Sequence, residues 1–504
     1  MPTAAAFMAV AGLFLSGGSA SAQSKDAVFY QKYSTPFFVA AGNLGNASFQ
    51  PGAKVLDFEL NDGRKASFAT LTLDSILFVK NAGKIAAMPF ADEVIAKAFA
   101  SQNVPGYSEV QEPSYKDFKD GDEFFNDYLE NYTVEKTISI TFSGNSANIP
   151  ASLPKNVTIA KNGAHVTAKC AKGHIQFNLS GSTDNGSFTL VDLGEDSKKC
   201  HVQLNGVSIT NPKGPAINIQ SGKAVYLKLA AGKSNTLKDG KTYDIVADQD
   251  RKAALFSEGQ LIISGTGSLS VVSAGGHGIC SDDYIRIRSG AGSISVTSDF
   301  DGINAKEKFM MYGGKISINA KGDGIQVRQG HAEIYAGQLF VNSSDNGIKV
   351  NYEKPDSAYL DIRGGFQRIE TEGTRGHAIN VTGRILHTSG AVSMLKSGGL
   401  GSKCLKSDYG ISISASTIYA WNTAQNLNET DDTAKARAIS GSSIEIGKSS
   451  LLYVNAAKTG IHSAGNLTVN GGETFVTATE RDKCLNVKGT VSQSQGLIVI
   501  GTQE

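Results

Sequence analysis

From about Thr137 to the C-terminus, short runs of alternating apolar and polar residues are separated by glycine, asparagine, aspartate and serine. Period-two alternation predicts strands with one buried face. The same small residue followed by Ile or Leu recurs at Ile217, Leu255, Ile279, Ile303, Ile325, Ile348, Ile379, Leu405, Ile439, Ile461 and Leu485. The central intervals are 24, 24, 22 and 23 residues, and the longer ones carry their excess in polar segments such as "NYEKPDSAYL". Each copy continues through a glycine turn into another strand, as in "GSISVTS" at Gly292, "GKISINA" at Gly314 and "GQLFVNS" at Gly337. One such unit cannot bury its apolar residues alone, so the copies must stack, with equivalent strands about 4.8 Å apart. A period of this length holds three short strands and three turns. The predicted fold is therefore all-β: a parallel β-helix (a solenoid) over 137–504, with Ile294, Ile316 and Leu339 inward in one column.

Upstream, the pattern predicts three more segments. Residues 1–22 hold an apolar run from Ala4 to Leu15 and the small residues Ala20-Ser21-Ala22, a cleaved signal peptide by pattern, although no Lys or Arg precedes the run. Residues 23–90 read as a small β-rich module whose "VLDFELNDGRKASF" turns at Asp62-Gly63. Residues 91–136 read as one helix, "ADEVIAKAFAS", then a linker or cap whose mixed carboxylates and aromatics suit a solvated acidic face. No later apolar run is long enough to span a bilayer, so no membrane span is expected.

Charge changes this picture little: 48 basic and 47 acidic residues leave no broad attraction for nucleic acid or anionic membrane. Among the five cysteines, Cys170 and Cys200 are close enough in sequence to bridge one coil if the compartment is oxidising. Chemistry-bearing motifs are absent in an informative way. There is no Gly-x-Ser-x-Gly elbow, no CxxC and no phosphate loop, and His277 and His377 lack metal spacing.

The stretches "HVQLNGVSITNPKGPAINIQSGKAVYLKLAAGKSNTLKDGKTY", "KAALFSEGQLIISGTGSLSV" and "FDGINAKEKFMMYGGKISINAKGDGIQV" resemble a bacterial family of secreted carbohydrate-binding proteins. Its fold is a polysaccharide-lyase-like right-handed parallel β-helix. The resemblance covers about Thr137 to the C-terminus. It implies binding of plant cell-wall polysaccharide, cellulose or acidic pectic chains, with calcium held at the turns. The "DSILF" ending near Phe78 resembles, more briefly, an N-terminal module of secreted Bacteroidetes proteins.

Candidate sites follow from the two "DGI" phrases. Stacked coils bring Asp301 and Asp323 together, and ionised carboxylates about 5 Å apart repel by about 3 kcal/mol at an effective dielectric near 20. Calcium would remove that cost, with Asp299, Asp345 and Asn346 completing an oxygen shell; the alternative is that Asp before Gly is ordinary turn chemistry. Asp282 and Asp283 form a second acidic pair. For sugars, Tyr312 and Tyr335 should stack, with Arg363 next in line, and Trp421 shares a strand face with Tyr419. Arg286 and Arg288 alternate with Ile285 and Ile287, which points both guanidiniums outward toward an anionic chain. The functional expectation is a secreted or cell-surface, non-catalytic polysaccharide binder, expected as a monomer. Two rivals stand beside it: a lyase acting on uronic acids by β-elimination, with Lys306, Arg328 and Lys349 supplying the basic groups, and an adhesin or structural solenoid.

Overall fold

The computed structural model describes residues 26–31, 37–40, 43–50, 55–69, 73–79, 86–87, 90–170, 174–191 and 199–502, so the expected signal segment 1–22 lies outside the described residues. The structure is nearly all β, a β-solenoid of about 13 turns with a small N-terminal sheet, and only 6% helical. The chain divides into two compact units, residues 107–386 and residues 1–106 with 387–504.

In the first unit the repeat is realised residue for residue. Ile217, Leu255, Ile279, Ile303, Ile325, Ile348 and Ile379 are successive parallel register partners. Ile294, Ile316 and Leu339 form a second parallel column and are fully buried. Aliphatic side chains fill both columns because each strand alternates inward and outward, and burying one such side chain stabilises by roughly 1.5–3 kcal/mol. Between the second and third strands of a coil the chain turns through Gly314 or Gly337, with φ of 79° and 88°, a region that disfavours side chains with a Cβ.

Residues 107–136 contain only three single turns of 3₁₀ helix, at Tyr115–Asp117, Phe125–Asp127 and Leu129–Asn131. They lie as a strap along the outward face of the coil strands Val225–Leu229, Leu261–Ser264, Tyr284–Ile287 and Lys308–Ala320, and their first residues reach His331–Ser343. Asp117, Asp120, Asp122, Glu123 and Glu130 are exposed, as a solvated acidic face requires, but Asp127 is wholly buried because it meets a buried arginine.

In the second unit Leu405, Ile439, Ile461 and Leu485 continue the anchor pattern in parallel register. The hairpin Val55–Leu60 and Lys65–Ala69 turns at Asp62-Gly63 as expected, and Lys65–Ala69 pairs antiparallel with the last coil strand, Val491–Thr502. The rings of Phe29, Phe37, Phe58 and Phe68 stack at 5.1–5.5 Å between centroids. The helix Ala91–Ala100 buries Ile95 and Phe99 and packs on the coil strands Thr417–Asn422 and Leu451–Ala456.

All five cysteines are buried thiols. The Cys170–Cys200 bridge considered from the sequence is therefore not formed. Cys200 shares a hydrogen bond with Cys170, which together with burial pushes its thiol well above the usual range.

Candidate functional site

The acidic column stacks as expected, but its oxygens are taken by the protein. Asp301 Oδ1 accepts the Asp323 backbone N–H at 2.9 Å, Asp323 Oδ1 accepts that of Asn346 at 2.9 Å, and Asn346 Oδ1 accepts that of His377 at 3.2 Å. Each side chain thus caps the next coil. The second oxygens are also engaged: Asp301 Oδ2 by the Asn304 amide at 2.8 Å, and Asp323 Oδ2 by Lys349 Nζ at 3.1 Å. Asp299 pairs with Lys321 at 2.7 Å, and Asp345 accepts from the Asn346 amide at 2.9 Å. Burial and the neighbouring Asp323 raise the Asp345 carboxyl above the usual range, which disfavours the anion calcium needs. Among the described residues no cluster of three or more His, Cys, Asp or Glu has metal-holding geometry. The donors present do not fit a calcium ion between Asp301 and Asp323, because amide N–H groups already occupy oxygens of both carboxylates and the Lys349 ammonium pairs with Asp323. Asp282 likewise is held between Lys252 at 2.5 Å and Arg328 at 2.8 Å, which keeps its carboxyl low despite burial.

Arg286 and Arg288 do point outward, but the strap covers them. Arg286 donates to Asp127 Oδ2, Glu112 Oε1 and the Tyr128 hydroxyl, each at 2.9 Å, and its side chain is 1% exposed. Arg288 reaches Glu112 at 3.1 Å and Glu130 at 3.0 Å. Tyr284 completes the cluster by donating to Asp127. Their expected role toward an anionic chain is corrected: the ligands of these guanidiniums are the strap's own carboxylates.

The aromatic ladder is present, and the start of the strap lies against it: the Val110 N–H donates to the Tyr335 carbonyl at 2.9 Å and Glu109 Oε1 accepts the Gly337 N–H at 3.1 Å. Tyr312 and Tyr335 stack at 4.4 Å with planes 5° apart; the Arg286 guanidinium lies 4.7 Å from the Tyr312 ring and that of Arg363 lies 5.4 Å from Tyr335. Glu333 accepts both the Tyr335 hydroxyl at 3.0 Å and the Tyr359 hydroxyl at 3.1 Å. Arg363 grips the buried Asp361 through two nitrogens at 2.7 Å, and His331 stacks on Tyr359 at 4.3 Å. Sequence reasoning named Tyr312, Tyr335 and Arg363 and missed Glu333, Tyr359 and Asp361. The repeat could have found them, since Arg286, Met310, Glu333 and Asp361 are register partners.

A second surface runs along the third strand of the coils. Ser295, Ser317 and Phe340 are register partners, as are Thr297, Asn319 and Asn342. With Lys315 they line a shallow groove of about 360 Å³. Ser295, Thr297, Lys315, Asn319 and Asn342 are exposed, and the half-buried Phe340 ring has Lys315 Nζ 5.2 Å from its centroid. Sequence reasoning did not single out these residues. The signal was available in "GQLFVNS": Phe340 is an apolar residue at an outward position. Such a surface pairs a flat ring for the C–H face of a sugar with hydroxyl and amide groups for its oxygens.

Trp421 lies in the other unit. Phe99 of the helix Ala91–Ala100 meets it edge-on at 5.4 Å, Lys396 Nζ sits 5.2 Å from its ring, and it lines a cleft of about 710 Å³ with Asp62, Arg64, Asp92, Glu93 and Asn455. Its predicted strand neighbour Tyr419 instead stacks on Tyr453 at 5.4 Å.

A protein of Acetivibrio thermocellus described as a carbohydrate-binding domain-containing protein is 35% identical over 116 residues, 23% of this chain. The match spans only 40% of that relative's own length. A solved structure titled "Structure of the polysaccharide lyase-like protein from C. thermocellum, Gadolinium derivative" superposes with a TM-score of 0.36 and 21% identity, covering 60% of this chain and 99% of that one. The family described as "Carbohydrate-binding domain-containing protein" matches residues 155–483, well over half of the sequence, and the chain belongs to it.

Proposed function

We propose that the protein is a non-catalytic polysaccharide binder that seats its ligand along the coil surface containing Phe340. The observation that carries this reading is the groove itself: one half-buried ring among outward hydroxyls and amides repeated at the coil spacing. A long polymer with regularly spaced hydroxyls suits a surface whose own polar groups recur at about 4.8 Å. Lys315 is exposed and forms no ion pair among the described residues, so a uronate carboxylate on an acidic, pectic chain gives it a partner. The proposed setting is extracytoplasmic, in keeping with the pattern of residues 1–22. Calcium has no part in this reading, because the carboxylates expected to hold it are occupied by protein donors. The lyase alternative draws little support from its basic residues: Lys349 is tied to Asp323 and Arg328 to Asp282.

The test is sedimentation of the full chain with cellulose and with immobilised polygalacturonate, with absorbance followed for unsaturated uronate ends. Binding should be lost in Phe340→Ala, and Lys315→Ala should weaken binding to polygalacturonate more than to cellulose. Wild-type binding by both folded variants would overturn the assignment to this groove, and new absorbance would replace binding with lyase action.

A further inference from the structure

The cleft at Trp421 has a composition unlike that of the groove. It is lined by three carboxylates, Asp62, Asp92 and Glu93, against one cation, Arg64. Arg64 is already spent: it lies 2.5 Å from Asp62, pairs with Glu93, and stacks 4.3 Å from the centre of the Phe90 ring. The Asp62 carboxyl is held below its usual range by that arginine. Asp92 is left over. Its Oδ1 is buried with no hydrogen-bond partner.

One further acceptor in the same cleft is also unmatched. The side-chain oxygen of Asn455 is buried without a partner, and this residue is only 7% exposed. Asn455 is the register partner of Trp421, and strand alternation puts both on the outward side, since their neighbours Ala420 and Val454 are fully buried inward. A buried acceptor without a donor costs free energy, and two such oxygens, of Asp92 and Asn455, line this one cleft. What would satisfy it carries several donors, a positive charge and a flat apolar face.

We propose that this cleft binds an amino sugar, presented as a short oligosaccharide. Its ammonium group lies toward Asp92, its hydroxyls donate to the Asn455 amide oxygen, and its ring stacks on Trp421. The ligand class is the opposite in charge to the uronates that suit Lys315 in the groove. Carboxylate-bearing sugars are repelled here by the same groups that attract an ammonium.

Calorimetric titration of the full chain with three dimers, of glucosamine, glucose and galacturonic acid, tests the proposal. The glucosamine dimer should bind at least about tenfold more tightly than either other dimer, a margin of about 1.4 kcal/mol. Trp421→Ala and Asp92→Asn should each weaken it by about tenfold or more, the effect of losing one charge-assisted contact or the ring platform. Asn455→Ala should weaken binding without lowering the melting temperature, because the acceptor it removes has no partner to lose; this variant keeps the test sound if Trp421→Ala fails to fold. Phe340→Ala should leave affinity for the dimer unchanged while abolishing sedimentation with polysaccharide, which separates this proposal from the groove. No binding, equal or tighter binding of the neutral or acidic dimer, or undiminished binding by folded Asp92→Asn and Asn455→Ala would overturn it.

Discussion

One outward column in the 107–386 unit meets two fates. Tyr226, Ile262, Arg286 and Met310 succeed one another in register and are all buried, whereas Glu333, next in line, is half-exposed and works on the surface with Tyr335 and Tyr359. The strand geometry is the same throughout. The difference is the strap, whose Glu112, Asp127 and Tyr128 supply partners for Arg286. An outward position in a solenoid is therefore only provisionally a surface, and a segment remote in sequence decides which outward positions remain available for a ligand.

The sharpest way to break this contrast is to remove a charge from each region. Arg286→Ala strands two buried carboxylates and should cost about 3–5 kcal/mol, a large drop in melting temperature. Lys315→Ala on the open groove should change stability by no more than about 0.5 kcal/mol. Equal melting temperatures would mean that the strap is an ornament rather than part of the core.

Acid should also attack the covered region first. Burial, with His174 and Lys228 nearby, lowers His201 to about 4, and both of its ring nitrogens lack partners. The unfolded chain takes up its proton near the ordinary value of 6.5, before the folded chain does. The stability from this group is therefore complete above pH 6.5 and is lost as pH falls toward 4, by up to about 3 kcal/mol at 1.36 kcal/mol per unit. His201→Phe should flatten that part of the denaturation profile; a slope unchanged by the substitution would assign the acid sensitivity elsewhere.

A gentler perturbation separates charge from shape. Glu112→Gln keeps the volume but weakens the contacts to Arg286, Arg288 and Ser289, at a cost of about 2 kcal/mol, the scale of charged hydrogen bonds. Protease cleavage within 107–136 should rise accordingly, while sedimentation with polysaccharide should persist. The smallest expected effect is in the acidic column. A calcium site there would raise stability by about 2.7 kcal/mol at a hundredfold excess over Kd, and we expect millimolar calcium to produce no such shift in either wild type or Asp301→Asn/Asp323→Asn. A calcium-dependent rise abolished by the double variant would restore the metal reading.

Much of the coil was legible because its cause is local. Eleven anchor residues and the Ile294, Ile316, Leu339 column follow from alternation and period alone, and each takes its expected register. The Asp62-Gly63 turn and the helix Ala91–Ala100 follow from equally local chemistry. Arg286 was misjudged because alternation distinguishes inward from outward but carries no information about a cover. The carboxylates and aromatics of "GDEFFNDYLENY" were the available clue, since they are the complement of two outward arginines. Asp301 and Asp323 were paired correctly in space, but their chemistry was not legible: the Asp323 and Asn346 amides and the Lys349 ammonium reach them from neighbouring coils.

The capping chain from Asp301 to His377 has a consequence for length. Each link asks only for an acceptor on one coil and an amide on the next, so no link depends on how many came before it. Excision of one whole period, the 22 residues from Gly302 to Asp323, would bring Asp301 under Asn346 and Ile279 beside Ile325, and the chain of caps would close again. The ladder behaves as a ruler with removable divisions. Descendants of this sequence could lengthen or shorten the groove by whole steps, adjusting how much polymer it spans while the run of caps stays closed.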